Sequence, residues 1–224
     1  CYTDALACSE AAGKWIFSQG RYCVLNNAID LKQYAFNEEK RVEIRKRYGI
    51  ENKVVIGHVG KMVEQKNYPF LLQVFEKVVK KEENAQLMLV GDGKLRREVE
   101  QMAKMLNILD KITFCGIQND ASPFFSAFDI VLFPSLWEGL PLTILEAQAN
   151  GLRCVISDVI TDEVRMGDVQ QVSLSESPTI WADLVLKNIN TNRVEKSMVY
   201  SKILRERGFD IHKNVVQLEM IYQR

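Results

Sequence analysis

Five short apolar runs, rich in β-branched residues, set the strongest limit on what this chain can fold into. They are Val54-Val55-Ile56, Leu87-Met88-Leu89-Val90, Ile112-Thr113-Phe114-Cys115, Ile130-Val131-Leu132-Phe133 and Cys154-Val155-Ile156. Apolar residues on consecutive positions mark strands buried on both faces. Between runs the apolar period becomes that of a helix, at 69–81 with Phe70, Leu71, Val74, Phe75 and Val78 in register, and again at 94–106. Helical connections are what parallel neighbours require. The expectation is an α/β domain with a doubly wound, Rossmann-like parallel sheet.

The flanks read differently. Residues 1–25 have the pattern of one strand, a helix capped by Ser9 and running through Trp15 and Ile16, and a second strand, which together belong to another sheet. A charged helix over 38–48 ends on Gly49, and the basic run Arg45-Lys46-Arg47 in its last turn suits the negative end of the helix dipole. At the far end Ile211, Val215, Leu218 and Tyr222 share one helical face with no strand nearby to pack on. There is no internal repeat and no low-complexity segment.

The 29 basic and 29 acidic side chains cancel, so nothing pulls the molecule as a whole towards nucleic acid or anionic lipid. With 47% hydrophobic residues, disorder is excluded too. The five cysteines, Cys1, Cys8, Cys23, Cys115 and Cys154, are odd in number and widely spaced, which fits neither a disulfide framework nor a zinc ribbon and favours a reducing, cytoplasmic setting. The apolar runs are far shorter than the roughly 20 residues that cross a bilayer. No signal peptide is visible, and a chain opening on Cys1 reads as one whose true beginning is lost.

Chemistry concentrates in three loops. In Phe133 to Glu146 a strand ends, a loop carries Trp137, Glu138 and Gly139, and Pro141 occupies the place of a first helical residue. The following amides, of Leu142 and Thr143, then lie unpaired at the positive end of a helix, a site for phosphate at the carboxyl edge of the sheet. Glu138 and Glu146 can flank one ligand. An acid taken at random is usually solvated, but Leu145 and Ala147 give Glu146 an apolar setting. In the loop after the first strand, Lys61 and Lys66 can converge on a diphosphate, although loop lysines are more often mere solubilisers. Gly91-Asp92-Gly93 lacks the third glycine of a dinucleotide fingerprint, Arg96 standing in its place, and reads as a tight strand-to-helix turn. His58 suits either a ligand contact or a packed strand position. No Asp-x-Asp pair or His/Cys/carboxylate cluster offers evident ligands to a divalent metal.

Gly60-Lys61 with Lys66, Gly91-Asp92-Gly93, Phe114-Cys115-Gly116 and the E-x7-E spacing of Glu138 and Glu146 resemble the nucleotide-sugar-binding domain of retaining GT-B glycosyltransferases of the family 4 group. The resemblance covers residues 5 to 190, and Pro134 to Ala147 look most like its bacterial polysaccharide-forming members. It implies that Glu146 holds the ribose hydroxyls, that Lys61 and Lys66 neutralise the diphosphate, and that Gly60 is among the donor-binding residues. Amides from Gly139 through Leu140 and Leu142 to Thr143 would contact phosphate and sugar, Glu138 would face the donor sugar, and the backbone at Ile117 would meet the base. It also implies a reaction that keeps the donor's anomeric configuration without metal or cofactor.

Two departures stand out. Lys61 replaces the usual Arg, and Asn27-Ala28-Ile29-Asp30 replaces Asn-Gly-Ile/Val-Asp, which predicts a hinge of different shape. Such enzymes have two facing domains, so the expected organisation is a remnant of the acceptor domain at 1–25, a hinge and linker helix at 26–53, the donor domain at 54–190, and terminal helices at 191–224. The apolar stripe of the last helix would face the missing domain or, equally, its own core. The implied partners are a nucleotide sugar, UDP-linked by family frequency with GDP and ADP open, and a glycan or lipid-linked acceptor, with no nucleic acid. The whole enzyme would lie in the cytoplasm, with the inner face of the membrane allowed, and this piece alone would turn over poorly or not at all. The rival readings are a non-catalytic nucleotide- or partner-binding module and an epimerase or phosphorylase-like enzyme on the same fold.

Overall fold

The computed structural model describes residues 5–18, 20–189 and 192–223, so Cys1 and the chain's first strand positions lie outside the described residues. Strand β1 (Leu6–Ala7), helix α1 (Glu10–Phe17) and strand β2 (Cys23–Val24) form the expected opening unit, a two-stranded parallel sheet of its own. Ser9 caps α1, its hydroxyl accepting from the Ala12 amide at 3.1 Å. Helix α2 (Glu38–Tyr48) follows and ends on left-handed Gly49. The main body then runs β3 (Val54–Val59), α3 (Tyr68–Lys81), β4 (Ala85–Val90), α4 (Arg96–Met105), β5 (Ile112–Gly116), α5 (Ser122–Ala127), β6 (Ile130–Phe133), α6 (Leu142–Ala149), β7 (Cys154–Ser157), β8 (Val169–Val172) and α7 (Pro178–Lys187). Helices α8 (Arg193–Glu206) and α9 (Ile211–Tyr222) close the described chain.

All six strands of the larger sheet are parallel, in the order β5-β4-β3-β6-β7-β8. From β3 the chain winds out through β4 to β5, then crosses back to β6 beside β3. That reversal opens a crevice at the carboxyl ends of β3 and β6, where ligands of such sheets bind. The five apolar runs are five of these strands. β8, with the sequence Val169-Gln170-Gln171-Val172, is the strand that sequence patterning misses, because an edge strand with one neighbour keeps half its surface in solvent.

The two faces of the sheet bury separate cores. On one, Leu71, Val74, Phe75 and Val78 of α3 pack with Ile56, Leu87 and Leu132, and fully buried Trp181 of α7 closes the layer, with Phe70 edge-on at 5.4 Å. On the other, Phe124, Phe125, Ile144, Leu145 and Leu204 pack with Val55, Val131 and Phe133. Both α2 and α8 lie on this second layer, so the linker helix and the penultimate helix are built into the sheet's body.

Three arginines hold that layer. Arg41 and Arg45 of α2 each place a guanidinium nitrogen 2.6 Å from the carboxylate of Asp129. They also donate to the carbonyls of Ser126, Ala127 and Phe128 at the end of α5, and Arg193 of α8 donates to those of Phe125 and Phe128. Arg45 thus corrects the helix-dipole reading: it is buried, and its partners are Asp129, Ala127 and Lys53. Burial first, and then the Arg41 charge, pull the Arg193 guanidinium down to about 9.

Ala28 is not among the residues of positive φ, so the hinge takes an ordinary backbone there, strapped to the last helix by the Ile29 amide on Phe209 and the Ile211 amide on Ile29. Asn214 is the buried residue of α9 and Leu218 is half-buried, while Ile211, Val215 and Tyr222 are exposed, so most of the stripe stays off the described core. No helix is long and apolar enough to cross a membrane among the described residues. The described cysteines are free thiols.

Candidate functional site

The loops at the carboxyl ends of β3, β4, β5 and β6 are tied to one another by backbone hydrogen bonds. The Gly60 amide donates to Val90 (2.9 Å), Met62 to Asp92 (2.9 Å), and Gly91 to Gly116 (2.8 Å). Gly91 has φ +125°, and a Cβ there would lie 2.2 Å from the Gly60 carbonyl oxygen, while one at Gly93 would lie 2.5 Å from that of Met62. Glycine is therefore a packing requirement of the strand-to-helix turn. Gly60, Lys61, Gly91, Asp92 and Ile117 line an open cleft of 330 Å³. Its floor is mostly apolar, Ile117 is exposed at its rim, and Lys61 projects into solvent beside it.

The loop between β6 and α6 is clamped to the lysine loop. The Leu136 amide donates to the Gln65 carbonyl (2.8 Å), and the Gln65 side chain donates to the Trp137 carbonyl (2.9 Å) and the Glu138 carboxylate (3.0 Å). Lys66 reaches the other oxygen of Glu138 at 2.6 Å, and the ammonium stands 4.4 Å over the Phe133 ring. Both side chains of this pair are largely out of water. Sequence reasoning named Lys66 and Glu138 separately. It missed their pairing and the bridging role of Gln65, for which the sequence holds no signal.

Helix α6 begins one residue later than expected, with Pro141 as its cap and Leu142 as its first residue. The reason is visible in the turn that follows: the Pro141 carbonyl already accepts the Ile144 amide at 3.0 Å. The consequence drawn from the sequence stands, since the amides of Leu142 and Thr143 have no acceptor among the described residues. The side chains of Leu140 and Leu142 pack on the core, and Gly139 is exposed with open space around it. Glu138, Gly139 and Leu140 also wall a 430 Å³ cavity whose far side is Ser9 and Ala12 of the opening unit and Thr161 and Glu163.

Glu146, a turn further along α6, is half-buried. Desolvation raises its pKa, and the Tyr34 hydroxyl facing it partly offsets the effect. Tyr34 is set by the Asn150 side chain, which donates to its carbonyl at 2.8 Å, and by edge-on packing on Phe125 at 5.7 Å. A carboxylate held short of water with spare acceptor capacity suits a pair of vicinal hydroxyls. His58 is fully buried under the lysine loop; its Nδ1 lies 2.9 Å from the Leu132 carbonyl, and desolvation lowers its pKa to about 4. Among the described residues, no group of three or more His, Cys, Asp or Glu side chains is arranged to hold a metal ion.

Comparison with known proteins follows the same outline. A family model described as glycosyl transferases group 1 matches residues 53–190. EpsF of Bacillus subtilis (strain 168), named as a glycosyltransferase, is 36% identical over 228 residues, covering 98% of this chain and 59% of EpsF. A UDP-Gal:alpha-D-GlcNAc-diphosphoundecaprenol alpha-1,3-galactosyltransferase of Escherichia coli is 31% identical over 140 residues, covering 61% of this chain and 36% of that protein. Among solved structures, Anabaena HepE in complex with UDP and glucose superposes with a TM-score of 0.81 at 19% identity, over 99% of this chain and 63% of HepE. The chain thus spans less than two thirds of the length of each of these. The sheet is half of a GT-B fold, and with most of its length matched by the family model, the chain belongs to the group 1 glycosyltransferases.

Proposed function

We propose that this chain is the donor-binding half of a retaining, metal-independent glycosyltransferase that moves a hexose-type sugar from a nucleoside diphosphate, UDP before GDP or ADP, to a glycan or lipid-linked acceptor. The observation that carries the reading is the convergence, at the β3/β6 switch point, of the free amides of α6, the Lys66–Glu138 pair, Lys61 and the half-buried Glu146. UDP is favoured because HepE binds UDP and the Escherichia coli relative is named for UDP-Gal.

In this reading the base lies against Ile117 at the cleft rim, the ribose hydroxyls donate to Glu146, and the diphosphate sits over the start of α6. As the bond between anomeric carbon and phosphate oxygen breaks, negative charge grows on the leaving phosphate. The amides of Leu142 and Thr143 and the two lysines are in place before that charge develops, which is what makes such groups effective. Glu138 faces the sugar. The acceptor hydroxyl attacks from the face the phosphate leaves and gives it its proton, so the configuration is kept. The acceptor and any association with the inner face of a membrane belong to the remainder of the protein.

Titration calorimetry with UDP, GDP, ADP and NAD in buffer containing a chelator tests this. One nucleoside diphosphate binds, and Glu146→Ala abolishes the heat. Binding that requires added metal removes metal independence, and a Glu146→Ala variant that binds like the parent removes the ribose assignment.

A further inference from the structure

Two buried side-chain atoms have no hydrogen-bond partner among the described residues, Ser135 Oγ and His58 Nε2, and the second borders the site just assigned. The His58 side chain is fully buried. Because Nδ1 faces the Leu132 carbonyl at 2.9 Å, the proton belongs on Nδ1 and Nε2 carries a lone pair. The ring cannot turn to find another partner: Tyr68 packs edge-on at 5.0 Å, Phe133 stacks at 5.5 Å, and the Tyr68 hydroxyl is itself fixed on the Gly60 carbonyl at 3.1 Å. Leaving a buried acceptor unmet is destabilising, because its lost hydration is not replaced. An apolar residue would fill the place without that cost.

A donor that can move close to it is Lys66. Its ammonium lies over the same Phe133 ring that stacks on His58. Above Gly60, a Cβ would meet Lys66 Cε at 3.1 Å and His58 Nε2 at 3.4 Å, so the end of the lysine and the free lone pair border one small space. An ammonium has three hydrogens to give, and Glu138 receives one of them. We infer that His58 is a positioning residue for Lys66: its Nε2 accepts from the ammonium when a diphosphate draws the lysine away from Glu138, holding Lys66 on the phosphate. The idea rests on the donor-site reading above. Burial and the neighbouring lysine charge keep the imidazole neutral, hence an acceptor, at physiological pH.

The test uses His58→Asn, whose amide can keep the Leu132 bond while removing the atom at Nε2, and His58→Gln, which restores a polar atom there. UDP and uridine are titrated into each variant with the Lys66→Met chain alongside. The inference expects His58→Asn to weaken UDP about tenfold with uridine unchanged. It also expects partial rescue by His58→Gln and no further loss when His58→Asn is added to Lys66→Met. Equal weakening of UDP and uridine, or full additivity with Lys66→Met, overturns it as a purely structural effect. A ligand-independent arm separates this outcome from failure of the donor site itself. Glu138→Ala frees Lys66 without any nucleotide, and in 15N-lysine-labelled protein the Lys66 ammonium should become protected from exchange. That protection should vanish in Glu138→Ala/His58→Asn. If the Lys66 signal is the same in both, the inference fails whether or not nucleotide binds.

Discussion

Two of the molecule's clusters of cations are treated in opposite ways. Around Asp129, the guanidiniums of Arg41, Arg45 and Arg193 donate to a carboxylate and to successive carbonyls at the end of α5, and two of the three side chains are buried. At the switch point, Lys66 faces a single carboxylate and Lys61 extends into solvent. The planar fork of arginine matches several fixed acceptors at once, whereas an ammonium on a flexible stem can change partners. Three helices, α2, α5 and α8, depend on the first cluster for their mutual position. Only the loops depend on the second, so it can respond to a ligand without disturbing the core.

The largest effect expected from breaking this contrast is at Arg193. Arg193→Met leaves the Phe125 carbonyl and the Asn150 side-chain oxygen without that donor and the Phe128 carbonyl with Arg41 alone, at a cost of about 3 kcal/mol. Removing one of three neighbouring positive charges returns part of this. Thermal unfolding should fall by about 10 °C, and Arg193→Lys should not rescue it. UDP affinity of the folded fraction should be unchanged, and if it collapses as well the two clusters are coupled.

Acid sharpens the comparison next. The folded pKa of His58 is about 4 against 6.5 for a free imidazole, so the unfolded chain takes up the proton first as pH falls. Stability is present above pH 6.5 and is lost as pH drops towards 4, by about 3 kcal/mol. Glu146 acts in the opposite sense, because its folded pKa is raised and its protonation relieves a desolvated charge. Denaturant titrations across this range should show a shallower loss in His58→Asn than in the parent. An identical slope would place the proton uptake elsewhere.

The sheet was legible because its central strands are apolar on consecutive positions and are joined by helices of clear period. β8 was not, since Gln170 and Gln171 break that pattern on a half-exposed edge. At the site, the residue types and the E-x7-E spacing pointed to Lys66, Glu138 and Glu146. Their partners did not show, because Lys66 and Glu138 meet across a separation of 72 residues and nothing local encodes Gln65 or Tyr34. Arg45 was misread for the same reason: its place in the last turn of α2 is visible in sequence, but Asp129, 84 residues on, is not. Periodicity reports which face of an element is covered; it is silent on which polar groups meet there.

A third prediction addresses the lysine–carboxylate pair itself. Lys66→Met strands a largely buried carboxylate and should lower stability by roughly 1–2 kcal/mol, while Glu138→Gln should cost less because an amide still meets Gln65. The double variant removes both charges and should recover most of the stability, as replacement of a whole buried pair commonly does. It should not recover UDP affinity. Chemical denaturation and calorimetry on the four chains separate the two roles, and a double variant that binds UDP as the parent does would show that Lys66 serves the fold alone.

Lys61 should give the smallest effect and the most diagnostic salt dependence. It is exposed and its side chain has no polar partner among the described residues, so Lys61→Met should leave unfolding within about 0.5 kcal/mol of the parent. UDP should weaken only several-fold, and that difference should shrink as salt rises, because charges meeting across solvent are screened over about 10 Å at 0.1 M and about 3 Å at 1 M. The loss at Lys66, whose side chain is 13% exposed, should persist at high salt. If the Lys61 effect also persists, the exposed lysine closes onto the phosphate in direct contact, and the line between a fixed and an adaptable cation would then run between the arginine cluster and both lysines, instead of between the two lysines themselves.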